Sequence, residues 1–324
     1  MVNFLKSGKV KDVYELPDNR LEFRFTNRIS VFDKIIPCEI EHKGEVLCRI
    51  AAFWFKRAEK LGINTHFLDV KLPDKIIVKR VAVIDDYARL KKRKGDYLIP
   101  LEIIARYYVA GSLYDALKSG KIQPKELGFR NNNQKVEYGT KLPDTYIECT
   151  TKFEKIDRKL TLDESLEIAN ITKTEFNHIR ETILKIDEDM QNQLKKSGII
   201  HVDGKKEFAF DEDRTLLVVD TYGTPDEDRF WDESEYKKGN FIELSKEYVR
   251  QYYRMTGYYA KLTKARNEGK DEPPIPALPD TERKKVSEIY ISLYEKFTGE
   301  KFRWNDLGKQ GLGKEELGSQ GCGI

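Results

Sequence analysis

The stretch from Ile199 to Asp220 constrains this chain more than any other. It alternates charged and apolar residues with the period of a strand, turns at Asp211-Glu212-Asp213-Arg214, and returns as Thr215-Leu216-Leu217-Val218-Val219. Side chains two apart on a strand share a face and stand about 7 Å from one another, so Asp203, Lys205 and Glu207 line one face. A two-residue turn at Glu212-Asp213, or a four-residue turn, sets Asp220 opposite Lys205 on that same face. Three carboxylates then surround one ammonium. Carboxylates this close raise each other's pKa in a low-dielectric cleft, and one lysine relieves only part of that. Hard oxygen ligands of this kind suit Mg²⁺, which takes one or two carboxylates and completes its shell with water and nucleotide phosphates. A solvated charged face on an exposed sheet is the simpler reading of the alternation taken alone.

The remaining sequence describes what carries this hairpin. The chain has 324 residues, 39% of them hydrophobic, enough for a substantial core and about two domains. Lys and Arg number 58 against 55 Asp and Glu, and a net charge of +3 gives no bias toward nucleic acid or an anionic membrane. No run approaches about 18 apolar residues, and the first residues, MVNFLKSGKVKD, lack a signal-peptide core, so a cytoplasmic location is expected. Cys38, Cys48, Cys149 and Cys322 are too scattered for a CxxC pair and read as reduced thiols.

Residues 1–98 are expected to form a β-rich lobe. Val10 to Leu16 and Leu21 to Thr26 flank the turn Pro17-Asp18-Asn19-Arg20, and a helix from Glu45 to Leu61 stops at Gly62. Lys91-Lys92-Arg93-Lys94-Gly95 reads as a solvated turn rather than a phosphate site. Residues 99–304 change to longer elements: a strand at Ile99 to Val109, a helix at Leu113 to Lys118, and helices opened by the capping boxes Thr161-x-x-Glu164 and Thr172-x-x-Glu175. A tyrosine-rich helix follows from near Ser245, in which Tyr248, Tyr252 and Tyr259 read as packing residues. A last helix runs from Asp280 to Thr298. Residues 305–324, with six glycines, are expected to be a flexible tail. The fold class is α+β, and no internal repeat of 20 to 50 residues points to a solenoid.

Three further features add chemistry. Ser7-Gly8-Lys9-Val10-Lys11 puts Gly8 at a hairpin tip with Lys9 and Lys11 on one strand face, able to reach phosphate oxygens. Glu102 and Arg106 lie four apart on a strand that ends at Ala110-Gly111-Ser112, where helix-start amides and a hydroxyl make an anion site. Thr224-Pro225-Asp226-Glu227-Asp228-Arg229 leaves the Asp220 strand through a rigid loop that brings Arg229 back toward the same cleft.

These blocks, together with Arg28-Ile-Ser-Val-Phe-Asp33, Gly44-Glu-Val-Leu47, Thr150-Thr-Lys152 and Asp203-x-Lys205-x-Glu207-Phe208, occur in one order over about residues 5 to 300. In that order they resemble the SAICAR synthetase family, which joins L-aspartate to carboxyaminoimidazole ribotide with ATP. The resemblance implies a β-rich lobe closing over ATP, a larger α+β lobe, and a cleft between them, in a fold related to ATP-grasp and kinase-like lobes. It implies that Gly8, Lys9, Lys11, Lys79 and Glu102 face the nucleotide, and that Glu207 and Asp220 hold Mg²⁺. Arg106, Ser112 and Arg229 would cradle the ribotide phosphate, with Asp226 near the substrates. Lys205 and Asp203 would face the reacting carboxylate, and Lys152 would lie by the phosphates. The chain departs from the family where an acidic residue commonly follows the metal aspartate (here Thr221), where a Ser-Ser pair is usual (here Glu227-Asp228), and around Cys149 to Arg158. Two other readings stay open: another ATP-dependent carboxylate–amine ligase, or a nucleotide-binding regulator without turnover. The oligomeric state, a homo-oligomer included, is not legible.

Overall fold

The first eighty residues make short strands around one long helix, as their turn residues and alternating apolar positions require. In the computed structural model, which describes residues 2–131, 135–154 and 156–303, these are β1 (Asn3–Ser7), β2 (Lys11–Leu16), β3 (Arg20–Phe25), β4 (Arg28–Val31), β5 (Lys34–Glu39), α1 (Lys43–Lys60), β6 (Phe67–Lys71) and β7 (Lys75–Lys79). Strands β1-β2-β3-β7-β6 form an antiparallel sheet in that order, and β4 pairs with β5. The β2–β3 register pairs Leu16 with Arg20, so the turn is the three residues Pro17-Asp18-Asn19, with Asp18 and Asn19 at positive φ, and Arg20 joins the strand rather than the turn. Phe23 and Phe25 face the core from β3, against α1. That helix begins two residues earlier than its apolar spacing suggests.

The second set of elements is α2 (Tyr87–Leu90), β8 (Tyr97–Leu98), β9 (Leu101–Tyr108), α3 (Gly111–Lys118), β10 (Lys141–Thr151), β11 (Lys159–Leu160), α4 (Leu162–Ala169), α5 (Lys173–Lys195), β12 (Ile199–Phe210), β13 (Leu216–Val219), β14 (Arg229–Asp232), α6 (Glu233–Tyr236), α7 (Glu247–Met255), α8 (Tyr258–Asn267) and α9 (Asp280–Thr298). Both capping boxes form, with Thr161 and Thr172 accepting from Glu164 and Glu175 amides. The strand expected at 99–109 starts after Pro100, which has no amide hydrogen to give the ladder, and forms β9, while the separate short β8 ahead of it pairs with a different part of β12. The tyrosine-rich helix is likewise two helices, broken at Gly257, whose φ of 77° ends α7 in a left-handed turn. Tyr248 and Tyr252 pack against the core, and Tyr259 lies 4.4 Å from Phe32, ring to ring. The basic run from Lys91 is exposed, with Lys91 paired to Glu167 and Arg93 to Asp96. The expected flexible tail lies outside the described residues.

Strand β12 is the spine of a seven-stranded sheet, with β9 on one side and β13 and β14 sharing the other. One apolar core runs beneath both sets of elements, joining Phe23 and Trp54 to Ile183, Phe208 and Phe297. Helix α1 anchors the chain beyond β13: Trp54 Nε1 donates to the Gly223 carbonyl at 2.9 Å, and Tyr222 donates its hydroxyl to the Trp54 carbonyl at 2.9 Å. The loop after Asp220 is therefore rigidly seated. Among the described residues no helix is long and apolar enough to cross a membrane.

Candidate active site

The alternation of β12 places Asp203, Lys205 and Glu207 on one face, and the register with β9 sets Asp203 opposite Arg106 and Lys205 opposite Ile104. Glu102 therefore shares that face. Lys205 Nζ donates to Glu207 at 2.9 Å and Glu102 at 3.0 Å, and lies 3.3 Å from Glu227. Three carboxylates do surround this ammonium, but two of them differ from those expected. Burial opposes the charge on Lys205, yet Glu227, Glu207 and Glu102 raise its pKa well above the usual lysine value. Burial likewise opposes ionisation of Glu207, while Lys205 and Lys152 hold its carboxyl well below the usual range. Lys152 reaches Glu207 from β10's end at 2.6 Å.

Asp220 does not stand opposite Lys205. The β12–β13 pairs are Glu207 with Val219 and Phe210 with Leu216, one residue out of the expected register. The cause is a three-residue loop. Asp211 accepts from the amides of Asp213 and Thr215, and Arg214 takes a left-handed φ of 61°, so the turn is odd in length. A slip of one would point Asp220 away from the charged face. Asp220, however, lies just beyond the end of β13 with φ of 59°, and its carboxylate meets Lys11. Lys11 is thereby brought from β2 to the same cluster, its pKa lowered to about 8 chiefly by burial.

The other sequence-predicted nucleotide residues spread along the β-rich side. The Gly8 amide donates to the Lys11 carbonyl at 2.8 Å, closing the β1–β2 tip, and Arg28 donates to the Gly8 carbonyl at 3.0 Å. Lys9 lines the main cavity and pairs with Asp33 at 2.5 Å. Lys79 is not brought to that cavity; it pairs with Glu212 of the β12–β13 loop at 2.7 Å.

Asp203 instead sits between two arginines, because β9 and β14 flank it in register. It accepts from Arg106 at 3.1 Å and Arg229 at 2.7 Å. Arg106 also donates to Ser112 Oγ at 3.1 Å, and Arg229 to Glu247 at 3.2 Å. Gly111 has φ of 50°, and a Cβ there would lie 2.4 Å from an Arg229 nitrogen, so this guanidinium rests on the start of α3. Two arginines, a hydroxyl and helix-start amides form an anion cradle.

Lys9, Glu102, Arg106, Ser112, Asp203, Lys205 and Arg229 line one cavity of about 560 Å³, within the size range of ligand pockets, whereas Lys11, Lys152, Glu207 and Asp220 do not line it. Asp226 borders it, but its carboxylate is held by Lys43 at 2.8 Å and Tyr290 at 2.6 Å, and despite burial its pKa falls to about 2. Asp228 is bound to His201 at 2.8 Å. Sequence reasoning missed Lys43, Lys246 and Arg250. Lys246 and Arg250 line the cavity from the start of α7, where the Lys246 amide donates to the Pro225 carbonyl at 2.8 Å. No local pattern distinguishes them among 58 basic residues. Among the described residues, no three His, Cys, Asp or Glu side chains gather as a ready metal cluster.

The chain is similar to known proteins over nearly its whole length. The family model described as SAICAR synthetase matches residues 4–265. The phosphoribosylaminoimidazole-succinocarboxamide synthase of Thermoplasma acidophilum is 51% identical over 301 residues, 93% of this chain and all of that one. Its counterpart in Thermoplasma volcanium is 50% identical over the same shares. Among solved structures, a SAICAR synthetase in complex with ADP is similar at 25% identity and TM-score 0.65, covering 94% of this chain and all of that one. The Saccharomyces cerevisiae SAICAR synthase complexed with SAICAR has the same fold, at 24% identity and TM-score 0.70 over 93% of this chain and 96% of that one.

Proposed function

The chain belongs to the SAICAR synthetase family, ATP-dependent carbon–nitrogen ligases that join L-aspartate to carboxyaminoimidazole ribotide in purine biosynthesis, and from that premise we propose how its cleft divides the work. The supporting observation is Lys205, a charged lysine standing between the Arg106–Arg229 cradle and the Lys11, Lys152, Glu207 and Asp220 cluster. The cradle, with Ser112, takes the ribotide phosphate. Residues 1–98 cover ATP, residues 99–304 hold the substrates, and Gly8, Lys9, Lys11 and Lys152 serve the nucleotide phosphates.

Phosphorylating the ribotide carboxylate forms a bond from its oxygen to the γ-phosphorus and releases ADP. The aspartate ammonium gives up one proton to solvent, the free amine attacks the acyl carbon, phosphate leaves, and the nitrogen gives up a second proton while keeping one as the amide N–H. Negative charge moves in each step. Lys205 and Lys152, fixed beforehand by Glu102 and Glu207, stabilise it without reorganising. Asp203 keeps the two arginines aimed at the phosphate, and Asp226 with Lys43 braces the loop that carries Arg229.

Glu207 and Asp220 fit Mg²⁺: both are hard oxygen donors, Glu207 pairs with the residue before Asp220, and Glu207 is held ionised. When bound there, the ion supplies neutralisation of phosphate charge. A cytoplasmic location accompanies this reading, since the described cysteines Cys38, Cys48 and Cys149 are free thiols. The purified protein should release ADP when Mg²⁺, carboxyaminoimidazole ribotide and L-aspartate are all present. ATP binding by folded protein with no aspartate-dependent product would overturn the assignment.

A further inference from the structure

The acidic side chains lining the cavity are mostly committed to partners. Asp203, Asp226, Asp228 and Asp33 each hold a cation or histidine at 2.5 to 3.1 Å, Glu102 accepts a hydrogen bond from Lys205 at 3.0 Å, and Asp157 is exposed. Glu227 differs. It sits in the turn where its own amide and that of Asp228 donate to the Thr224 carbonyl, at 3.1 and 2.9 Å, and it lines the cavity beside Lys205 and Lys246. Its ion pair among the described residues is with Lys205, 3.3 Å away, and Lys205 already donates to Glu102 and Glu207. Burial pushes the Glu227 carboxyl up, but the ammonium groups of Lys205, Lys246 and Lys11 outweigh it and hold it below the usual range. The side chain is thus an ionised carboxylate whose one ion pair among the described residues, with Lys205, is shared with Glu102 and Glu207.

Such a charge repels nearly everything the ligation brings in. The ATP phosphates, the ribotide phosphate and carboxylate, and both aspartate carboxylates are anions. Among the organic substrates, the amino acid's ammonium is the one cation, so a carboxylate here favours that group and disfavours the rest. We infer that Glu227 binds the ammonium of the amine substrate and so selects an α-amino dicarboxylate over a plain dicarboxylate. This rests on the ligase reading above. The position suits the role: Glu227 lies beside Lys205, the group assigned to the reacting carboxylate, so nitrogen held there is next to the carbon it must reach.

The test uses the full chain and steady-state kinetics. Glu227→Gln and Glu227→Ser should raise KM for L-aspartate roughly 10- to 100-fold, the range of one hydrogen bond to a charged group. KM for ATP and for the ribotide, and the Mg²⁺ activation constant, should move less than about 2-fold. Succinate, which lacks the ammonium, should inhibit the unaltered enzyme weakly and the Glu227→Gln variant at least as well. Unchanged KM for aspartate, or a rise in the Mg²⁺ constant instead, overturns the inference. Succinate that binds the unaltered enzyme as tightly as aspartate also overturns it, and that arm needs no variant to fold. Absence of aspartate-dependent ADP release in the unaltered enzyme overturns the ligase reading itself, and the inference with it.

Discussion

At the scale of the residue, the site is an exercise in pairing charges that burial would otherwise neutralise. Asp220 leaves its strand with a left-handed backbone and meets Lys11, so its carboxylate serves the cleft rather than the core. Asp220→Asn should lower kcat at least about 100-fold by weakening metal coordination, with little change in thermal midpoint, checked by ADP release and calorimetry. Glu243 offers a pH test outside the reacting groups. Burial raises its pKa from 4.5 to about 7, although Trp231 and Tyr138 donate to it at 2.8 and 2.7 Å, and its second oxygen has no hydrogen-bond partner. The folded protein therefore keeps a proton that the unfolded chain releases above pH 4.5. Stability falls as pH rises toward 7 and levels off beyond it, by about 3 kcal/mol at most. Glu243→Gln should flatten that segment of the curve, read as the difference between variant and unaltered protein in urea unfolding from pH 5 to 8.

At the scale of the element, local signals worked wherever a helix or turn closes on its own side chains. The boxes at Thr161 and Thr172 and the helix from Asp280 to Thr298 were legible because each satisfies its terminal amides or ends its apolar stripe within a few residues. Thr172→Ala should cost about 1 kcal/mol in chemical denaturation and leave kcat and every KM unchanged, since α5 contributes no side chain to the cavity. Strand register was less legible. The hairpin faces came out as expected for β12, but the loop's length depended on Arg214 adopting a left-handed backbone, supported by its bonds to Glu175 and the Asn170 carbonyl. Those partners lie about 40 residues away in sequence, beyond any local pattern.

At the scale of the whole molecule, buried ion pairs tie the sheet to its helices. Lys206, on the opposite face of β12 from Lys205, lies fully buried 2.5 Å from Asp187 of α5, and Tyr107 donates to the same carboxylate at 2.6 Å. Lys206→Met alone should destabilise by about 3 to 5 kcal/mol, because it leaves an uncompensated buried carboxylate. The double change Lys206→Met with Asp187→Leu should recover most of that loss, measured in guanidinium unfolding. Failure of the double variant to recover would mean that packing, not charge, sets the cost.

The α+β class, most helix boundaries, the shared face of Asp203, Lys205 and Glu207 and, through ordered motifs, the family were all legible along the chain. Each of these rests on periodicity or on residue types at fixed spacing, which a chain carries locally. Tertiary structure alone decided which charges meet: Asp203 with Arg106 and Arg229, Asp220 with Lys11, Asp226 with Lys43, and Glu227 with Lys205. These partners come from different strands and helices, and Coulomb interaction depends on distance in space. No spacing along the chain encodes that distance until β9, β12 and β14 are in register.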